Sequence, residues 1–238
     1  MSIFPLLDCT TWVDDYDFTG DSNKLTLDAE VEDLDGTVFG GGGWKKLAGG
    51  LKTVSGSLEG FWQSGPDAEG FSDLGNASRP VTVSPTGAAL STAFLFQATK
   101  LKYSAFGEVG ALTPFTLDMS GSTTVGMVRG QVAAAKQSVA ATGALGSPVQ
   151  LGAVSSTQKV YAIVHIFGTP GTTITVKVQS DNASNFPSAA DVATIGPLTT
   201  AGGTWMTPVA GVIADDWFRF NVSAITGTFT VAGAIAVQ

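Results

Sequence analysis

Apolar and polar residues alternate along this chain in short runs that Gly, Pro, Ser and Asn interrupt, and no stretch sustains a helical period. The pattern predicts an all-β protein. The clearest strand covers 24–33, where Leu25, Leu27, Ala29 and Val31 fall on one face. Thr26, Asp28, Glu30 and Glu32 fall on the other, which is therefore acidic. Further strands are predicted over 51–62, 93–103, 110–120, 125–135, 150–154, 159–167, 172–180, 217–222 and 226–237, at the spacing of β-sandwiches. The 159–167 run is apolar on both faces, as a central buried strand is. In 172–180, Ile174, Val176 and Val178 point inward; in the last run Phe229, Val231, Ile235 and Val237 share a face. Pro85-Thr86-Gly87 reads as a turn, and short helical pieces are predicted within 66–78 and 182–193.

The segment 34–50 reads as a loop, with Gly40, Gly41, Gly42 and Gly43 in a row before Trp44. Four glycines pack no core and are costly to order. They suit either a mobile surface loop or an arm that orders against a neighbouring subunit, anchored by Phe39, Trp44 and Leu47. A phosphate cradle would need a following Gly-Lys-Ser/Thr and a helix, and neither is present in the sequence pattern. After about residue 122 acids become rare, and Ala, Val, Thr and Gly dominate. This predicts two domains, 1–122 and 123–238.

Charge narrows the partners. Only 13% of residues are charged, against 44% hydrophobic, so much of the surface is expected to be covered by neighbouring copies. The formal net charge is −8, and half of the 20 acids precede Gly36. The 12 Lys and Arg are scattered, which argues against tight DNA binding but allows DNA to slide past. One cysteine, Cys9, excludes an intrachain disulfide. No apolar run is long enough to span a bilayer, and the N-terminus lacks a signal-peptide pattern, so synthesis and retention in a cytoplasm are expected.

Catalytic constellations are missing from the sequence. The single histidine, His165, sits in the most apolar run and reads as a buried residue bonded to backbone. One His and one Cys cannot build a zinc site, Cys9 has no evident base, and no Gly-x-Ser-x-Gly elbow occurs. Asp14, Asp15, Asp17 and Asp21 form the densest acidic cluster. They read as a solvated loop or a weak calcium site, without the glycine and glutamate of a calcium loop. Asp215-Asp216 before Trp217 reads as a turn entering a strand, or as acceptors beside a sugar-stacking aromatic. No enzyme activity, metal or cofactor is expected.

The run from Lys24 to Trp62, KLTLDAEVEDLDGTVFGGGGWKKLAGGLKTVSGSLEGFW, joins an acidic alternating strand to Asp-Gly-Thr-x-Phe-Gly, a glycine loop, Leu-Ala-Gly-Gly-Leu-Lys and a Ser-Gly-Ser strand. It resembles the opening hairpin of the major tail-tube proteins of long-tailed bacteriophages. Residues 115–130, 176–181 and 213–222 resemble stretches of related phage virion structural proteins of unassigned role. The resemblance implies a tail-tube-like β-sandwich over 1–122 with a glycine-rich arm over 34–50, then a second β-sandwich, Ig-like or tube-like, over 123–238. It further implies a homo-oligomer of trimeric or hexameric rings stacked into a tube in the virion tail. Such a tube would be assembled in the host cytoplasm, contact other phage tail proteins and meet DNA only in transit. Phe39, Gly40, Gly41, Gly42, Gly43, Trp44 and Leu47 would form the subunit-interface arm, and Asp28, Glu30 and Glu32 would face the lumen. The alternatives are a capsid decoration or minor tail protein, or a carbohydrate-binding virion module using Trp205 and Trp217 of the C-terminal half.

Overall fold

A computed structural model describes residues 9–37, 44–72, 74–75 and 78–238. In chain order the strands are β1 Thr10–Val13, β2 Tyr16–Asp17, β3 Ser22–Asp35, β4 Leu47–Phe61, β5 Arg79–Ser84, β6 Thr92–Ala105, β7 Pro114–Gly121 and β8 Val128–Val139. Then come β9 Gly143–Gln150, β10 Lys159–Phe167, β11 Thr173–Asp181, β12 Ala190–Leu198, β13 Gly202–Trp205, β14 Val209–Ala210, β15 Trp217–Thr226 and β16 Phe229–Val237. One α-helix, α1, spans Ser64–Phe71, and Phe18–Gly20 forms a 3-10 turn. The protein is all-β, as the alternation requires.

Contacts divide the chain into a larger unit, Met1–Asp21, Arg79–Gln97 and Val128–Gln238, and a smaller one, Ser22–Ser78 and Ala98–Met127. This division is not the linear one at 122/123. Strand pairing explains the difference: β1 pairs with β5, and the first half of β6 pairs with β8, so N-terminal segments join the sheet of the C-terminal strands.

In the larger unit one sheet runs β13-β10-β16-β8-β6-β5-β1-β2, with β14 also on β10, and a second runs β12-β11-β15-β9. Inward positions of both sheets make one core. Val160, Ala162, Val164 and Ile166 of β10 and Phe229, Val231 and Ile235 of β16 meet Ile174, Val176 and Val178 of β11 and Phe218, Phe220 and Val222 of β15. Gly233 is part of this fit, because a Cβ there would lie 2.7 Å from the Phe220 ring and 2.7 Å from the Ile163 carbonyl. The 182–193 segment holds no helix. Asp181, buried at the end of β11, accepts the backbone N–H groups of Ala183 (3.0 Å) and Ser188 (2.7 Å), and β12 starts at Ala190. Local carboxylate-to-backbone bonds out-compete a helical turn there.

Gly146 lies where a bulged β9 approaches the backbone of β8. Its φ is +77°, and a Cβ would stand 2.0 Å from the Ala133 carbonyl oxygen. Gly146→Ala combines left-handed strain of roughly 1–2 kcal/mol with overpacking of roughly 1–3 kcal/mol. We expect a loss of about 3 kcal/mol and a melting temperature lower by roughly 6–12 °C. An unchanged melting curve would contradict the close approach.

The smaller unit is an antiparallel sheet ordered β3-β4-β7-β6, using the second half of β6. Val54, Leu58, Ala98, Phe115, Leu117 and Met119 are its buried hydrophobic side chains. Helix α1 is fastened to the sheet by polar side chains. The buried Lys100 ammonium pairs with the Glu69 carboxylate and donates to the Glu69 carbonyl (2.5 Å) near the helix C-terminus, where a cation is favoured. The Tyr103 hydroxyl donates to Asp67 (2.7 Å). Desolvation and that carboxylate together push the Tyr103 phenol above its usual range.

Candidate assembly surface

The β3–β4 hairpin outruns its sheet. β7 pairs with β4 only from Ser55 to Phe61, whereas β3 pairs with it down to Leu47. The remaining lengths of β3 and β4 therefore project as a two-stranded ribbon. The strands extend further into the glycine loop than the sequence predicts, taking in Leu34–Asp35 and Leu47–Gly50. The connection is drawn together by Gly36 N–H donating to Lys46 O (2.8 Å) and Lys46 N–H to Thr37 Oγ1 (3.0 Å). A lone ribbon has no sheet to cover it. Accordingly Val31, Leu34, Leu47, Leu51 and, beyond the ribbon, Trp44 are all exposed. Of the expected arm residues, Trp44 and Leu47 thus sit at the hairpin tip; Phe39, Gly40, Gly41, Gly42 and Gly43 lie outside the described residues.

A second apolar group gathers at the opposite end of the same sheet, where β4 ends, β6 ends and β7 begins. Phe61 pairs with Pro114, Trp62 N–H donates to Thr113 O (2.7 Å), and the Trp62 and Phe106 rings lie 6.0 Å apart. Phe61, Trp62, Phe106, Val109 and Leu112 are exposed there. Sequence reasoning missed this group, although a run with Phe106, Val109 and Leu112 and few charges was its signal. Among the described residues, every exposed large apolar side chain except Leu90 and Val212 belongs to the smaller unit.

Between Thr53 and Glu59 one face of the smaller unit's sheet is polar, with Lys102 also set beside Asp118, while Leu51 and Phe61 flank this stretch on the same side of β4. Register sets Thr26 beside Ser57 and Asp118, and Asp28 beside Ser55, Ser120 and Thr99. Glu30 lies opposite Thr53, and Lys24 meets Glu59 at 2.5 Å. Ser57 donates to Asp118 at 2.6 Å. Asp28 and Glu30 therefore share this face. Glu32 continues the alternation but lies beside a bulge on the projecting ribbon, near Leu34 and Gly50. Asp118 and Glu59 belong to the same face; the alternation Ser55-x-Ser57-x-Glu59 and Thr116-x-Asp118-x-Ser120 carried that signal.

In the larger unit the expected acidic loop is taken up structurally. Asp14 adopts φ +55°; its carboxylate accepts Gly203 N–H (2.7 Å) and pairs with Arg79 (2.9 Å), while its own N–H donates to Pro80 O (2.9 Å). Asp17 pairs with Lys136 (2.8 Å), and Asp21 accepts the Tyr16 hydroxyl (2.8 Å). His165 is buried as expected: Nδ1–H donates to the Asp14 carbonyl (2.7 Å), and Nε2 lies 2.9 Å from Thr82 Oγ1. Burial pushes its pKa down to about 4.

An unfolded histidine takes up a proton near pH 6.5, while the folded one resists until about pH 4. Stability therefore falls as pH drops through that window, by an order of 3 kcal/mol in full. In His165→Gln this part of the pH dependence should vanish. Denaturant titrations from pH 7 to pH 4 would show the wild-type advantage shrinking; a pH-independent difference would contradict the buried neutral imidazole.

Trp205 and Trp217 do not form one platform. Trp205 is on β13 in the first sheet, with its ring 6.1 Å from Tyr161, and Trp217 opens β15 in the second. Around Trp217 the outward positions are polar. Arg219 donates through Nε (3.0 Å) and Nη2 (2.9 Å) to Gln179 Oε1 and lies 4.2 Å over the Phe186 ring. Gln179 donates to Asp191 (2.8 Å), which also pairs with Lys177. Hydrogen bonds from Lys177 and Gln179 hold the Asp191 carboxyl below its usual range.

No protein-family model matches the sequence, and no curated protein matches it. Solved structures do. The chain is similar to one from the tail of an empty gene transfer agent particle (TM-score 0.38, 16% identity, covering 47% of this chain and 90% of that one). It is similar to the SPP1 Dit protein of the hub adsorption apparatus in phages that infect Gram-positive hosts (TM-score 0.39, 10% identity, 97% and 99% covered). It is also similar to a chain of the phage p2 baseplate (TM-score 0.35, 7% identity, 90% and 97% covered). These neighbours are components of phage and phage-like particles, and at such TM-scores the likeness carries no argument about role.

Proposed function

We propose that the chain is a virion structural protein, the major tail-tube subunit, which self-associates into stacked trimeric or hexameric rings forming the channel for DNA ejection. The observation that carries this reading is the concentration of exposed apolar side chains at the two ends of one sheet in the smaller unit. A free monomer rarely keeps such patches uncovered. Two different patches at opposite ends favour a head-to-tail contact, which repeats into an open stack. The long β3 strand, paired only with β4 among the described residues, adds an edge of 14 residues that a neighbour can cover. The polar face of Asp28, Glu30 and Asp118 suits a lumen through which DNA slides without adhering. In this reading the chain is not an enzyme and takes no cofactor. It meets DNA only in transit, contacts other tail proteins at the tube ends and assembles in the host cytoplasm.

Electron microscopy of the purified protein over a concentration series, with and without a tail-initiator complex, tests the reading. Hollow tubes or stacked rings are the expected result. Discrete particles at every concentration under both conditions would assign the chain to a capsid decoration or minor tail role.

A further inference from the structure

We infer that charge sets the direction of the head-to-tail contact: Glu108 of one copy receives Lys45 and Lys46 of the next. This rests on the tail-tube reading and adds a reason for unlike ends to meet. The connection from Gly36 to Lys46 carries two charges, both positive, on Lys45 and Lys46. Both side chains are exposed beside Trp44, and neither has an ionic partner among the described residues. Asp35, the acid at the end of the ribbon, is turned to the backbone N–H of Thr37 (2.9 Å). At the opposite end of the sheet the stretch from Tyr103 to Leu117 carries one charge, Glu108. It is exposed and also has no ionic partner among the described residues. Other charges of the smaller unit are engaged within the chain: Asp67 accepts the Tyr103 hydroxyl, and Glu59 pairs with Lys24.

The loop that presents Glu108 is shaped before any partner arrives. Phe106 N–H donates to Pro114 O (3.2 Å) and closes it, Ala111 N–H donates to Glu108 O (3.3 Å), and Gly110 takes φ +92°. Glu108 therefore stands in a fixed turn between the exposed Phe106 and Val109. Phe106 itself adopts φ +74°. A bulky residue in that conformation is strained, and an exposed side chain gains little in return from the folding of one chain; a second copy that covers it supplies the return. Apolar contact alone gives the stack no direction. Tip against tip, or group against group, would also bury apolar surface, but each closes a symmetric pair and ends growth. In the first, Lys45 and Lys46 would face their own copies; in the second, Glu108 would face itself. Tip against group brings opposite charges together, so like-charge repulsion excludes the two closed arrangements.

The test is a charge swap in the full chain, read as the lowest concentration at which tubes appear. All three positions are exposed, so the melting curve of the monomer should stay unchanged. Glu108→Lys should raise that concentration by about tenfold or more, and so should Lys45→Glu with Lys46→Glu. The three substitutions together should return it to within about threefold of wild type. Carbodiimide treatment of wild-type tubes should join Lys45 or Lys46 to Glu108 of another copy, giving a ladder on a denaturing gel and a linked peptide by mass spectrometry. Single reversals that grow like wild type, a combination that fails to recover, or no such link in assembled tubes would overturn the inference, while the wild-type tubes leave the tail-tube reading standing. Wild-type protein that forms no tubes even with a tail-initiator complex would overturn both together.

Discussion

Trp44→Ala should leave the folded monomer unchanged and stop its assembly. Trp44 is 83% exposed on the connection between β3 and β4, so its removal opens no cavity. A substitution at such a position shifts stability by about 0.5 kcal/mol or less. A large aromatic at a subunit contact, in contrast, is worth about 2 kcal/mol or more. That corresponds to roughly a 30-fold rise in the concentration at which tubes appear, and more if each subunit uses the contact twice. Light scattering would follow growth, and circular dichroism would follow the fold. Phe106→Ala, at the opposite end of the sheet, should act in the same way, because a head-to-tail contact needs both surfaces. Val212→Ala is the control: it removes an exposed apolar side chain from the larger unit and should not affect growth. Normal tubes from both Trp44→Ala and Phe106→Ala would end the head-to-tail reading.

The strands were legible where burial is one-sided or complete. β10 spans Lys159–Phe167, the run predicted from its apolarity on both faces, and β11 shows the alternation of Ile174, Val176 and Val178. Short strands were not legible. β1, β5, β13 and β14 have few residues and take their stability from partners far away in sequence, as when Thr11 pairs with Val83 and Trp205 with Ile163. The same cause hid the unit boundaries. Residues 10–13 and 79–97 belong with the C-terminal strands by hydrogen bonding, and a composition shift along the chain cannot report that. Asp14 is the sharpest case. In sequence it is one of several acids in a polar stretch. In the fold it joins Arg79, Pro80, His165 and Gly203, each supplied by a distant segment. For the assembly surface, alternation placed Asp28 and Glu30 on one face. Alternation likewise puts Glu59 in line with Ser55 and Ser57, and Asp118 in line with Thr116 and Ser120; that the Asp118 row lies beside the Ser57 row rests on the long-range pairing of β4 with β7.

Reversing the charge of this face tests whether it lines the channel. Asp28→Lys and Glu30→Lys, combined with Asp118→Asn, leave Glu59 paired with Lys24 and turn the net charge of the polar face positive while keeping its hydroxyl rows. The two strand positions are exposed, and Asp118 is bonded only to Ser57 among the described side chains, so the fold and tube growth should survive. Electrostatics should change sign. Each lysine that reaches a phosphate releases counterions, giving a slope of log affinity against log salt of about −0.9 per contact on duplex DNA. In a ring of three or six subunits two lysines each become a collar of cations, which would hold DNA that the wild-type face lets pass. We therefore expect assembled variant tubes to retain duplex DNA at low salt and release it at high salt, with wild-type tubes retaining none. Particles carrying the variant should eject DNA at least about tenfold more slowly, with partial rescue by added salt. Wild-type ejection rates from fully assembled variant particles would show that this face lies away from the channel. The apolar contacts tested by Trp44 and Phe106 could still be correct in that case, because they concern the ends of the sheet and not its polar face.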